Sequence, residues 1–421
     1  MQNLLVCAVF LSGLFFGLFS YSPNAHAADY SVQISVRFDP GTSAADVRLR
    51  VKQKERSLKQ LNFVAPKDLF PNFKATGGAP IRRGDRIVWE PPAGSSTISW
   101  RAVITAPKGD GYDALITEDW ALLRFEDLIP PAATITRKGA TSRFTMKLDG
   151  PDDWSFETRY GRLEDKSIRL DSSQQTWKRP TGWLIAGKLG VRRDKIADRW
   201  ITVAAPTGSR FRRIPMLAFL QWTLPTFVDV FPSMPEKLLV VSGSDAMWRG
   251  ALSGPSALYL HPDRPIISEN GTSTLLHELV HVATRLSAEP GDDWIVEGLA
   301  EYYSLEILRR SKGLSERRFS ASLEALTEWS QEEDATLSDP SKGADTALAA
   351  LLFHEIAGEL RGRDAYKANQ RDPLDAAIAH LLEGRTGATK VSHKQLQTSI
   401  KETSGKRSKV LADAIEEIGS Q

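Results

Sequence analysis

Two histidines four apart, with a glutamate directly after the first, stand in the stretch TSTLLHELVHVATRL, Thr272 to Leu286. On a helix, positions i and i+4 lie one above the other, so His277 and His281 face the same way and their imidazole nitrogens can meet one ion. Glu278 sits one position round the helix, beside such an ion rather than on it, where a carboxylate suits a general base for a water molecule. The bland alternative is a polar face on an ordinary helix. Leu275, Leu276, Leu279, Val280 and Val282 argue against it, because they make the helix apolar nearly all round. A His-Glu-His stripe buried among them would cost roughly several kcal/mol unless it were paired or bound to a cation.

A third ligand follows in DDWIVEGLAEYYSLEIL, which begins at Asp292. AEPGDD breaks the first helix and Trp294, a core anchor, begins a second. Two antiparallel helices joined by a short loop bring Glu297 against the histidine pair. His277, His281, Glu297 and one open water position make a tetrahedral site for a single zinc ion. Glu301, one turn beyond Glu297, can accept the spare N–H of a ligand histidine and so fix its tautomer.

The elements that position these residues differ between the two halves of the chain. From Asp29 to about residue 205 the pattern has period two, as in YSVQISVRF, with turn signals such as EPPAG and LDGPDD between short runs. This predicts an all-β, sandwich-like domain over residues 28–210. From Phe211, FRRIPMLAFLQWTLPTFVDVF predicts a helix interrupted or kinked at its prolines. EKLLVVSG predicts a buried strand, and SALYLHPD a further strand at a sheet edge. Helices are then expected at 272–288, 294–311, 315–329, 346–361, 373–382 and 407–418. A small sheet followed by a helical bundle over 211–421 makes the whole chain α+β.

Of the 421 residues 25% are charged and 41% hydrophobic, as in a globular protein, and the net charge of +2 argues against nucleic acid or an anionic membrane as partner. Leu4 to Ser20 is apolar without a break and NAHAAD follows, so residues 1–27 read as a signal peptide cut near Ala28. The protein is then exported, to a periplasm or beyond, and touches a membrane only if that segment stays uncleaved. The sole cysteine, Cys7, lies in this leader, which leaves the mature chain without disulfide or thiolate ligand. Apart from His26, every histidine lies beyond residue 260.

HELVH (His277, Glu278, His281) with WIVEGLAEYYS (Glu297, Glu301) resembles the gluzincin metallopeptidases. SKGADTALAALLFHEIAGELRG brings the resemblance closest to the glycyl aminopeptidase-like and aminopeptidase N-like families. The resemblance covers roughly residues 235–385. It implies a thermolysin-like catalytic domain, zinc on His277, His281 and Glu297, and Glu278 deprotonating the water that attacks a peptide bond. The chain departs from these families in three places. The gap from His281 to Glu297 is short, MWRGALSGPSALYLH has no amine-reading glutamate, and DPSKG has Pro340 and Ser341 where the families carry an oxyanion-binding tyrosine. Among other donors, Tyr302 and Tyr303 read as helix packing and Tyr366 as a polar-loop residue, leaving His261, before Pro262, as the candidate. His354 and His380 read as structural. The expected function is zinc-dependent hydrolysis of a peptide or protein substrate, endo- or exo-. The alternative is a weakly active or inactive relative that keeps a structural metal and binds peptides or envelope proteins through the edge strand.

Overall fold

The computed structural model of the protein describes residues 28–160, 167–170, 179–362, 371–384 and 387–420. The expected leader, with Cys7 and His26, and also Tyr366 lie outside the described residues. Strands β1 (Tyr30–Asp39), β2 (Ala44–Gln53), β3 (Leu58–Val64), β4 (Lys74–Thr76), β5 (Ile81–Arg83), β6 (Arg86–Trp89) and β7 (Gly94–Val103) come first. Then follow β8 (Thr105–Lys108), β9 (Gly111–Ile116), β10 (Trp120–Arg124), the one-turn helix α1 (Phe125–Leu128), β11 (Ala132–Thr136), β12 (Ser142–Asp149), β13 (Ser155–Thr158), β14 (Ile168–Arg169) and β15 (Trp183–Gly187). They build three sheets, ordered β14-β12-β1-β2-β7-β4, β11-β3-β6-β5 and β13-β15-β10-β9-β8. The period-two reading is realised in β1, where Tyr30, Val32, Ile34, Val36 and Phe38 are buried and the residues between them are not. All three sheets close on one core that includes Phe63, Trp89, Trp100 and Phe125. The N-terminal domain is thus sheet-rich, though not purely antiparallel: β1 pairs with β12 in parallel.

The second part contains β16 (Leu189–Ile196), β17 (Arg199–Pro206), α2 (Arg213–Val230), β18 (Lys237–Val241), β19 (Ala251–Gly254) and β20 (Ala257–Leu260). After these come α3 (Thr274–Thr284), β21 (Leu286–Ala288), α4 (Asp293–Arg310), α5 (Glu316–Glu332) and α6 (Ala344–Arg361). The chain ends with α7 (Pro373–Leu382), β22 (Thr389–Val391), α8 (His393–Ser404) and α9 (Lys409–Ser420). The sheet runs β16-β17-β18-β20-β19, with α2 making the crossover between the parallel strands β17 and β18. Its first hairpin therefore precedes residue 210, where the helical domain was expected to follow the β domain. The cause is burial: Ile201, Val203 and Ala205 share one core with Leu276, Trp294 and Phe353 of the helices. α2 is a single helix of 18 residues that runs through Pro225, where the sequence predicted an interruption or a kink.

One further expectation is corrected. β20 is interior, paired with β18 on one side and β19 on the other, so the edge belongs to β19. The four residues of β19, which follow Gly250 and end at Gly254, carry too little periodicity to announce a strand. Nor is that edge bare, since the Trp183 indole N–H donates to the Leu252 carbonyl at 3.0 Å. The same tryptophan belongs to a small apolar seam in which Trp120, Leu122 and Ile185 pack on Leu239, Val241 and Tyr259. That seam joins the two domains. Among the described residues, no helix is long and apolar enough to cross a membrane.

Candidate metal centre

α3 is shorter than its hydrophobic pattern suggested, and both ends have a local cause. The Ser273 hydroxyl accepts from the Leu276 N–H at 3.4 Å as N-cap, and Arg285 turns left-handed at φ 52° to stop the helix. The chain then forms β21, which pairs in parallel with β22, and re-enters helix at Asp293. α4 packs along α3 and α6, and it passes close to α6 beside the site. A Cβ added at Gly298 would lie 2.5 Å from the Ala349 Cβ and 2.8 Å from its carbonyl carbon. Only glycine next to Glu297 lets the two helices approach this closely.

This packing brings His277, His281 and Glu297 together, with one potential ligand atom from each inside a 4.8 Å group. His277 Nε2 lies 3.1 Å from His281 Nε2 and 3.2 Å from a Glu297 oxygen, and His281 Nε2 lies 3.6 Å from the other. Four ligands placed tetrahedrally at zinc bond lengths stand about 3.3 Å apart. The three separations bracket that edge. Two imidazole nitrogens facing each other at 3.1 Å cannot both carry protons, so they share either one proton or one metal ion. On the far side of the ring, His277 Nδ1 meets a Glu301 oxygen at 2.9 Å. With Nδ1–H donated there, Nε2 is the free donor atom facing the group.

Two carboxylates, Glu297 and Glu301, set the electrostatics around His277. Burial works against a charged His277, yet the hydrogen bonds to Glu297 and Glu301 outweigh it and hold the imidazole up to about 10. Burial pushes Glu297 up, but its contacts with His277 and His281 hold it far below the usual carboxylate range. Glu278 is buried, with 9% of its surface exposed, and makes no hydrogen bond or ion pair among the described residues. A largely buried carboxylate with no protein partner has its lone pairs free for a small molecule.

Other residues singled out in the sequence are placed elsewhere. His261 is buried, its Nδ1 accepts from the Asp263 N–H at 3.1 Å, and its Nε2 has no partner among the described residues. No hydrogen bond joins it to the cluster. The Tyr303 hydroxyl donates to Asp375 at 2.7 Å and that of Tyr302 accepts from Arg361 at 3.4 Å, so both belong to a buried ionic network. His354 packs against Tyr302 and Phe319, and His380 pairs with Glu402 on the surface. Trp294 is fully buried in the core. Ser341 docks on the first turn of α4: its N–H donates to Asp293 at 3.0 Å, one turn before Glu297.

The sequence did not reveal four residues that frame the site: Gly298, Asp293 and the pair Asp292–His393. In that pair, His393 Nδ1 meets the buried Asp292 at 2.7 Å and ties α8 to the start of α4. The small residues of VEGLAE and ALAALL were the available signal for Gly298.

Among solved structures, an aminopeptidase N family protein from Idiomarina loihiensis matches with a TM-score of 0.61 at 13% sequence identity, covering 80% of this chain and 68% of that one. The fold is aminopeptidase N-like. No protein-family model matches the sequence, and no curated protein does either. At this identity the likeness is one of backbone architecture. In this aminopeptidase N-like fold, a sheet-rich N-terminal domain precedes the sheet and helices that carry the His/Glu cluster.

Proposed function

We propose that the chain is a zinc-dependent peptidase, with His277, His281 and Glu297 as metal ligands and Glu278 as general base. The observation that carries this reading is the set of three donor separations, each close to a tetrahedral zinc edge. Zinc bound there supplies Lewis acidity and draws the pKa of water down toward neutrality. The free Glu278 carboxylate takes the proton of the attacking water and returns it to the amine that leaves, so no covalent enzyme intermediate is required. Glu301 holds the His277 ring in the tautomer that presents Nε2.

We assign the oxyanion donor to His261. With Nδ1 accepting from Asp263, the ring proton stands on Nε2, buried and unsatisfied. Burial also pulls this imidazole below its ordinary value, which keeps it a neutral donor. The substrate is a peptide or protein met outside the cytoplasm, in keeping with the signal-like first 27 residues.

The second reading is a metal-holding relative that binds peptides without cutting them. It is favoured by Ser341, whose hydroxyl faces Thr346 at 3.3 Å where an oxyanion-binding tyrosine was expected. Elemental analysis and a peptide-library assay on wild type and Glu278→Gln separate the two. The peptidase reading expects one zinc per chain in both proteins and cleavage only by wild type, abolished by chelator. Zinc in both with cleavage by neither selects the second reading, and equal cleavage by both refutes the proposed base.

A further inference from the structure

The outward face of the six-stranded sheet is organised in rows that the sequence order hides. Strand register aligns Lys147, Ser35, Arg48, Ser99 and Lys74 across β12, β1, β2, β7 and β4. Four residues further along the strands, a second row aligns Arg143, Ser31, Lys52 and Ser95. Arg50 stands between them, flanked by Gln33 and Thr97. In these rows long cations thus occupy β12, β2 and β4, whereas β1 and β7 contribute only short hydroxyl and amide side chains; beyond the first row, register aligns Asp149, Arg37, Asp46 and Arg101 in alternating charge. The short residues leave hollows. One of about 890 Å³ is lined by all five members of the first row, and one of about 660 Å³ by Ser31, Lys52 and Ser95 of the second.

None of Arg48, Arg50, Lys52, Lys74, Arg143 and Lys147 has an ion pair or side-chain hydrogen bond among the described residues. Asp46, at one end of the face, is already held by Arg101 at 3.1 Å. Six unpaired cations on one sheet face of a protein whose net charge is +2 make a strongly polarised surface, which a whole-chain average conceals.

We propose that this face binds an acidic polysaccharide. Strands lie about 4.8 Å apart, so cations on every second strand recur at about 9.6 Å, a spacing suited to one acidic group per disaccharide. The intervening Ser35, Ser99, Ser31, Ser95, Gln33 and Thr97 offer hydroxyl and amide partners for sugar hydroxyls. The rows hold no apolar side chain to enter a bilayer, and no aromatic ring on which bases of a single-stranded nucleic acid would stack. The proposal is independent of the metal centre.

The test measures binding of hyaluronate, which carries one carboxylate per disaccharide, and of heparin, with neutral dextran as control, to the chain from residue 28 onward at low and moderate salt. Wild type binds both acidic polymers and not dextran, and affinity falls with salt. Arg48→Ser/Arg50→Ser/Lys52→Ser weakens binding at least tenfold without changing the thermal unfolding midpoint. Arg317→Ser/Lys394→Ser/Lys401→Ser, which removes equal charge from the helical domain, changes it less than twofold. Equal losses in the two triple variants overturn the proposal, as does dextran binding. So does tighter binding, at matched salt, to phosphatidylglycerol vesicles or single-stranded DNA than to heparin.

Discussion

Replacing Glu306 by glutamine tests what holds α4 in place. Glu306 is fully buried and accepts from Arg309 and Arg310 on its own helix at 2.8 and 2.9 Å, and from Arg361 of α6 at 2.7 Å. Burial raises its carboxyl, but the three guanidiniums outweigh that and bring it from 4.5 down to about 2. A depression of that size corresponds to about 3 kcal/mol of stability, order of magnitude only. Breaking a buried ion pair by removing one partner costs about 3–5 kcal/mol. Here the lower end applies, because each arginine keeps a second carboxylate: Arg310 has Asp375, Arg361 has Asp372 and Arg309 has Glu316. Glu306→Gln should therefore lower the unfolding free energy of the helical domain by about 3 kcal/mol at pH 7, read by guanidinium titration of tryptophan fluorescence.

The pH dependence follows from the sign of the shift. A carboxyl depressed by folding stabilises fully above its ordinary value and loses that stabilisation as pH falls toward its folded value. The gap between wild type and variant should therefore shrink to roughly 1.4 kcal/mol at pH 3. A loss below 1 kcal/mol at pH 7, or a gap that does not narrow on acidification, would refute the account of the network.

Three further outcomes concern the metal centre directly. Glu301→Ala should weaken zinc binding about 10- to 100-fold in a chelator competition, because His277 loses the partner of its Nδ1–H; an unchanged constant would mean the 2.9 Å contact is idle. Gly298→Ala should cost about 1–3 kcal/mol by overpacking α4 against Ala349 and should weaken zinc as well, since Glu297 is the adjacent residue. A stable variant with wild-type zinc affinity would show that the helices can part freely. His261→Ala should lower kcat by roughly 10²–10³ with little change in KM if its Nε2–H is the oxyanion donor, and a KM-only effect would remove it from that role.

Much of the centre was legible because its logic is local. Residues four apart on one helix must share a face, so His277 with His281, and Glu297 with Glu301, needed only a correct helix assignment. The strands of the N-terminal domain showed for the same reason, since alternation in YSVQISVRF is a property of one segment. Pairing between distant segments was not legible. That β17 joins β18 in parallel depends on α2 folding back over the sheet, and nothing within residues 199–206 records it. β21 and β22, three residues each, are too short to carry a period, and α8 was missed because its sequence is polar on most positions. Net charge, a figure summed over the chain, cannot register cations gathered on one face by strand register.

The pairing of Leu286–Ala288 with Thr389–Val391, together with the contact between Asp292 and His393, bears on how the protein is made. The segment linking the two ligand-bearing helices is clasped by residues translated about a hundred positions later. A nascent chain that has emerged only as far as α7 already contains His277, His281 and Glu297 but lacks the clasp. The separation of α3 and α4, and with it the spacing of His277, His281 and Glu297, is thereby tied to chain that follows α7.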